Sequence, residues 1–240
     1  MNISKPFRYS AFTLLLIEFL LIFAPMVILG AAINWPASLD QPASINLPLI
    51  LEQAGAVKVG YLLYLIYSVL IIPVAFTISR IVGGPHAANT LLKIANGFAI
   101  GSVVLRALGI IRWLAPMPVL AQVYIDPATS DATREAVTVM YEMLNAYAGS
   151  VGEVLGVGFF ASLWVGTTSV AVLRNGALPR WLGVYGLVTA LALSAGLLTI
   201  FDIDPGMMLT VSVSLLQFWW LFIALIVLFR PQWVRSPEER

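Results

Sequence analysis

The sequence predicts an all-α membrane bundle of six transmembrane helices, with both termini cytoplasmic. Three observations carry this. The chain has 240 residues, 60% of them hydrophobic and only 10% charged, against roughly 25% charged in a soluble domain. Its apolar residues gather into six runs, each about the 20 residues a helix needs to cross a hydrocarbon core. Its basic residues fall mostly on one side when those runs are threaded through a bilayer.

The runs justify themselves in order. The first, 9–33, follows Lys5 and Arg8. At about 25 residues it exceeds the apolar core of a signal peptide, so a retained helix is favoured over cleavage near "ILGAAINW". The second covers 57–82 and the third 91–114, joined by the short "GGPHAAN". The fourth covers 149–173, the fifth 181–201 and the sixth 207–229, with "RNGALPR" and "DIDPG" as tight connections. Helices are required because lipid offers no partner to an open backbone group. The whole of 1–240 reads as a single transmembrane domain.

Two connections are long. Loop 34–56 contains "LPLILEQAG", a short apolar stretch expected to lie flat at the interface. In loop 115–148, Pro116 and Pro118 discourage a continuous helix. Asp131 then reads as an N-cap with acid in the first turn. Ala136, Met140, Met143 or Leu144, and Tyr147 repeat at helical spacing, giving an amphipathic helix over 131–148. It either runs on into the fourth span or is broken at Gly149 and Gly152.

With the N-terminus inside, Lys5, Arg8, Arg80, Lys93, Arg174, Arg180, Arg230, Arg235 and Arg240 all lie on the inner side, nine of the 13 basic residues. The location expected is the inner, cytoplasmic membrane. Trp35 and Trp113 fall near one interface, Trp181 and Trp233 near the other, as an aromatic belt requires.

Composition removes whole classes of function. A net charge of +1 gives no basis for nucleic-acid binding. There is no cysteine, and His86 is the one histidine, so thiolate and multi-histidine metal sites are excluded. His86 reads as a solvated loop residue. No H-E-x-x-H, P-loop or dinucleotide-binding glycine pattern is present. "AGSVGE" is not a rhomboid-type serine motif, and the last spans hold no lysine for a retinal Schiff base. No catalytic residue, cofactor or metal is expected. The partner the composition demands is the lipid bilayer, and protein partners are not legible.

What remains is a small set of polar residues inside apolar runs. Arg106 stands about eight residues from the end of the third span, roughly 12 Å deep at 1.5 Å per residue. Such a charge costs about 2.5–3.5 kcal/mol at mid-span on insertion scales, so it is expected to face the bundle and find an acid. Arg112 is close enough to the span end to snorkel. Glu153, in "AGSVGEVLGVG", is the expected partner of Arg106, since consecutive spans are usually neighbours. Gly149 and Gly156 flank it on its own face and allow close approach of a helix or ligand. Glu142 lies three helical turns before Glu153 and extends the acidic row.

Two readings stand side by side. The group is a structural ion pair, or it is a site for a small or lipid-like ligand. Tyr61, Tyr64 and Tyr67 either line that site by cation–π contact or, more commonly, anchor the interface. Glu18 and Gln217 are polar residues near mid-span in the first and sixth runs. A hydrogen bond between them is favoured over a proton relay, which usually needs several ionisable groups. The leading functional expectation is ligand binding around Arg106 and Glu153, with Arg112, Glu142 and Tyr64 alongside. A non-catalytic scaffold or accessory subunit and a small secondary transporter are the alternatives.

Four stretches, taken in order, carry a resemblance. They are "SLDQPASINLPLILEQAGAVKVGYLLYLIYSVLIIPVAFTI", "GFAIGSVVLRALGIIRWLAPMPVLAQVY", "YEMLNAYAGSVGEVLG" and "ALPRWLGVYGLV". Over roughly residues 10–200 the chain resembles the bacterial membrane proteins of the domain of unknown function 4386 family. The resemblance implies six membrane helices in a bacterial inner membrane. It implies no activity and no ligand.

Overall fold

A computed structural model of the chain describes residues 4–83, 89–231 and 234. His86, Trp233, Arg235 and Arg240 lie outside the described residues, so the expectations resting on them end with the sequence. Among the described residues, six helical stretches are long and apolar enough to cross a membrane: Lys5–Ile33, Ala54–Gly83, Thr90–Ile125, Asp131–Asn175, Arg180–Phe201 and Met208–Phe229. They match the six predicted runs; the third is extended by helix where loop was expected, and the fourth begins with the helix expected over 131–148.

The punctuation is local chemistry. The first stretch is α1 (Lys5–Leu21) and α2 (Phe23–Ile33), interrupted at Ile22. Pro25 has no N–H to offer the preceding turn, which accounts for the break. Asn34 ends α2 in the left-handed conformation, φ 56°. A short 3₁₀ turn, Ala37–Asp40, leads to α3 (Ala43–Glu52), which takes in the first six residues of "LPLILEQAG". Next come α4 (Ala54–Gly83), unbroken through Pro73, and α5 (Thr90–Leu114).

After a break at Ala115, the predicted proline-rich loop is instead α6 (Pro116–Ile125). Pro116 and Pro118 occupy the first turn, where a missing N–H costs nothing because those donors lack intrahelical partners anyway. The next helix, α7 (Asp131–Gly149), is capped by Ser130, whose Oγ accepts from the Thr133 N–H at 3.2 Å. Asp131, expected as the cap, is the first helical residue. Gly149 and Gly152 do not break the chain's course. It continues as a π-helix, Ser150–Ala161, into α8 (Ser162–Asn175). Gly176, φ 56°, closes α8, and Pro179 precedes α9 (Arg180–Ser194), which tightens to 3₁₀ over Ala195–Phe201. The last helix is α10 (Met208–Phe229).

The chain forms two compact units. The first comprises residues 1–20, 70–104 and 154–240. Here α9 packs against both α8 and α10. Gly183 and Gly186 make this possible, since any side chain there would strike Leu173 or Ser169. Trp164, Trp219 and Trp220 are fully buried, and the Trp219 indole N–H donates to the Leu182 carbonyl at 3.1 Å. Arg8 reaches the end of α10 and donates to the carbonyls of Val227 (3.2 Å) and Leu228 (2.6 Å). Those are orphan acceptors of a helix C-terminus, where a cation is also favoured by the helix dipole.

The second unit comprises 21–69 and 105–153. Its core gathers Leu29, Leu47, Ile50, Tyr61, Trp113, Met117 and Tyr141, all 2% exposed or less. The turn before α3 is held by side chains. Asn46 donates to the Ser38 carbonyl at 2.5 Å and to the Tyr141 hydroxyl at 2.6 Å, while Tyr141 donates to the Gln41 carbonyl at 3.1 Å. Asn145 donates to the Leu39 carbonyl at 2.7 Å. A non-helical turn thus keeps its backbone satisfied where water is scarce. The packed face of α7 is Val137, Tyr141 and Ala148. Of the stripe read from the sequence, Ala136, Met140, Met143 and Tyr147 are exposed, while Leu144, the alternative to Met143, is half-buried and packs against the core.

Candidate functional site

Within the second unit, α5 and the helix that follows α7 run antiparallel and very close. A Cβ built on Gly109 would lie 2.8 Å from the Gly152 Cα and 3.0 Å from the Ala148 carbonyl oxygen. One built on Gly149 would lie 3.5 Å from Arg112 Nη2. Two facing glycines therefore set the spacing, and this crossing brings the charges together.

The acid meets a different arginine from the one expected. Glu153 Oε1 stands 3.6 Å from Arg112 Nη2, and the described ion pair of Glu153 is with Arg112, not Arg106. The reason lies in side-chain direction. Helical side chains tilt toward their own N-terminus. On antiparallel helices in contact at 109 and 152, Arg112 and Glu153 lean toward one another. Arg106, on the far side of the contact, leans away.

Arg112 does not snorkel. It is 4% exposed, its Nη1 donates to the Gly109 carbonyl at 3.2 Å, and its guanidinium lies 5.2 Å from the Trp113 ring centroid. Trp113, expected in an interfacial belt, is buried and stacks on Tyr61 at 5.2 Å with planes 1° apart. Arg112 Nε and the Tyr61 hydroxyl have no hydrogen-bond partner among the described residues. Glu153, by contrast, has a side chain 54% exposed. The guanidinium is therefore deep, while the acid paired with it has a half-exposed side chain.

A cleft of 180 Å³ lies beside it, lined by Leu108, Ile111, Arg112, Pro116, Leu144, Tyr147, Ala148 and Val151. Arg112 is its one charged wall. A larger hollow in the first unit, 440 Å³, is lined by Leu91, Ser162, Leu163, Gly166, Thr167, Val170, Leu187, Ala190, Leu191 and Ser194 and has no charged wall. The π-helical backbone that carries Glu153 is itself a marker, because such segments are rare and concentrate at functional sites.

The other expected residues divide. Arg106 is 6% exposed, with its guanidinium 5.7 Å from the Tyr64 ring and 5.1 Å from the Tyr67 ring. Tyr64 and Tyr67 stack on each other at 6.0 Å, and Trp35 meets Tyr64 edge-on at 5.8 Å. Tyr61 and Tyr67 are 1% exposed, so they belong to the interior and are not surface anchors. Desolvated cation–π contacts of this kind are worth up to about 2 kcal/mol. Glu142 is exposed and does not extend an acidic row inward. Glu18 and Gln217 are buried in the first unit, on helices whose adjacent residues Phe19 and Phe218 approach to 6.1 Å. Trp113 was missed as a site residue; its signal was its place next to Arg112 in the chain.

Six helices among the described residues, each long and apolar enough to cross a membrane, fit a polytopic integral membrane protein. The chain matches the family described as Domain of unknown function (DUF4386) over residues 11–227, and it belongs to that family. The match takes in the last helix, beyond the stretch in which the resemblance was visible by eye. Comparison with curated proteins and with solved structures gives no match.

Proposed function

We propose that this is a multi-pass inner-membrane protein, both termini cytoplasmic, that binds a small amphiphilic ligand at Arg112 and Glu153. The observation that carries the reading is the state of Arg112. A guanidinium 4% exposed, with Nε unpartnered among the described residues, forms the charged wall of an otherwise apolar cleft. A ligand acceptor meets the part of the guanidinium that lines the cleft, and the apolar walls take the ligand's hydrocarbon. Arg106, held against Tyr64 and Tyr67, is the second buried guanidinium of the same unit.

The test is native mass spectrometry of the protein purified in mild detergent, compared with Arg112→Gln and Glu153→Gln. A bound small molecule or lipid retained by the parent and lost from folded Arg112→Gln is the expected result. Equal retention by both variants would remove the site. Folded variants without any bound species in the parent favour a non-catalytic scaffold, in which the pair only holds two helices.

A further inference from the structure

The same cleft says something about the ligand's head, and this inference rests on the reading just given. Arg112 lines the cleft, and its ion-pair partner Glu153, 3.6 Å away, has a half-exposed side chain beside it. The pair presents one cation and one anion. A purely anionic head would satisfy Arg112 but leave Glu153 facing it and add net charge to a low-dielectric site. A head carrying both signs fills both and leaves the site neutral.

We propose that the ligand is a zwitterionic membrane lipid whose head carries a phosphate and a primary ammonium. The phosphate accepts from Arg112 in the planar, two-pronged geometry a guanidinium favours. The ammonium donates to Glu153. A primary ammonium fits because the acid accepts N–H donors, whereas a quaternary ammonium has none and relies on an aromatic cage. At this cleft the aromatic wall is Tyr147, 72% exposed. The source is the bilayer and not the aqueous phase. Leu108 and Ile111, beside Arg112, are 54% and 45% exposed on a helix apolar enough to span it, so the cleft opens toward acyl chains.

The experiment offers the purified protein an equimolar micellar mixture of phosphatidylethanolamine, phosphatidylcholine and phosphatidylglycerol with identical chains. Bound lipid is read by native mass spectrometry. The parent retains the ethanolamine lipid over the other two. Glu153→Gln lowers the ethanolamine-to-glycerol ratio about ten-fold, the scale of one charge-assisted hydrogen bond. Arg112→Gln loses all three phospholipids, and Arg112→Lys, which keeps the charge, retains part of the ethanolamine lipid. Soluble glycerophosphoethanolamine does not compete. Preference of the parent for phosphatidylglycerol, or a ratio unchanged in Glu153→Gln, overturns the assignment of the head while leaving the site. Competition by the soluble head overturns the bilayer source. Binding unaltered by every arginine variant overturns the site itself.

Discussion

Replacing Gly109 by alanine isolates the contact on which the charged site depends. The new methyl meets the Gly152 Cα at 2.8 Å, the Ala148 carbonyl oxygen at 3.0 Å and the Gly152 nitrogen at 3.2 Å. All three are backbone atoms, so no side chain can swing aside. Carbon atoms are comfortable at about 3.5–4.0 Å, so the helices must part by roughly 1 Å, and a gap of that size forfeits a quarter to a half of each dispersion contact. Overpacking of this kind costs about 1–3 kcal/mol, against up to about 1 kcal/mol gained by removing a helical glycine. The net expectation is a loss of about 1–2 kcal/mol. For a chain of this length that lowers the midpoint of thermal unfolding by about 2–8 °C. Gly149→Ala is the internal control. Its methyl stands 3.5 Å or more from the nearest atoms, all of the Arg112 guanidinium, so it gains about 0.5–1 kcal/mol and raises the midpoint. Thermal scans in one detergent, with both variants side by side, read the difference. A Gly109→Ala protein as stable as Gly149→Ala would refute the claim that these two backbones touch.

Three further outcomes are expected. Gly186→Ala drives a methyl into the Ser169 hydroxyl and to 3.0 Å from the Trp219 indole nitrogen. It should cost about 1–3 kcal/mol, partly recovered in a double variant with Ser169→Ala, which a double-mutant cycle of unfolding midpoints measures. Asn46→Ala removes the donor to the Ser38 carbonyl and the partner of Tyr141. A loss of about 1–3 kcal/mol follows, with faster proteolysis in the 37–41 turn than elsewhere. Tyr61→Phe keeps the stack on Trp113 and deletes a buried hydroxyl that has no partner among the described residues, so stability should be unchanged or higher. Tyr61→Leu instead loses the stack, worth about 0.5–1.5 kcal/mol, and a thermal scan separates the two.

The helices were legible because lipid leaves the backbone no alternative, and hydropathy marks their length. The proline-rich stretch after Leu114 was misread because proline was weighed as a breaker, whereas at the first turn of a helix it is tolerated. The partner of Glu153 was misread for a different reason. Depth along the chain put Arg106 and Glu153 level, but the pairing is decided by the tilt of side chains on antiparallel helices and by a glycine contact at 109 and 152. Nothing in a hydropathy pattern encodes that crossing. The interior placement of Tyr61, Tyr67 and Trp113 was hidden by composition, since the same residue types decorate membrane interfaces. The exposed stripe of α7 was hidden likewise, because in a membrane protein an apolar row does not by itself face the core.

The clasp that Arg8 places on the end of α10 joins residues 219 and 220 positions apart. The arginine ties the start of α1 to the final turn of α10, so closing this part of the first unit waits on both carbonyls being in place. A variant cut short before Val227 loses both acceptors at once.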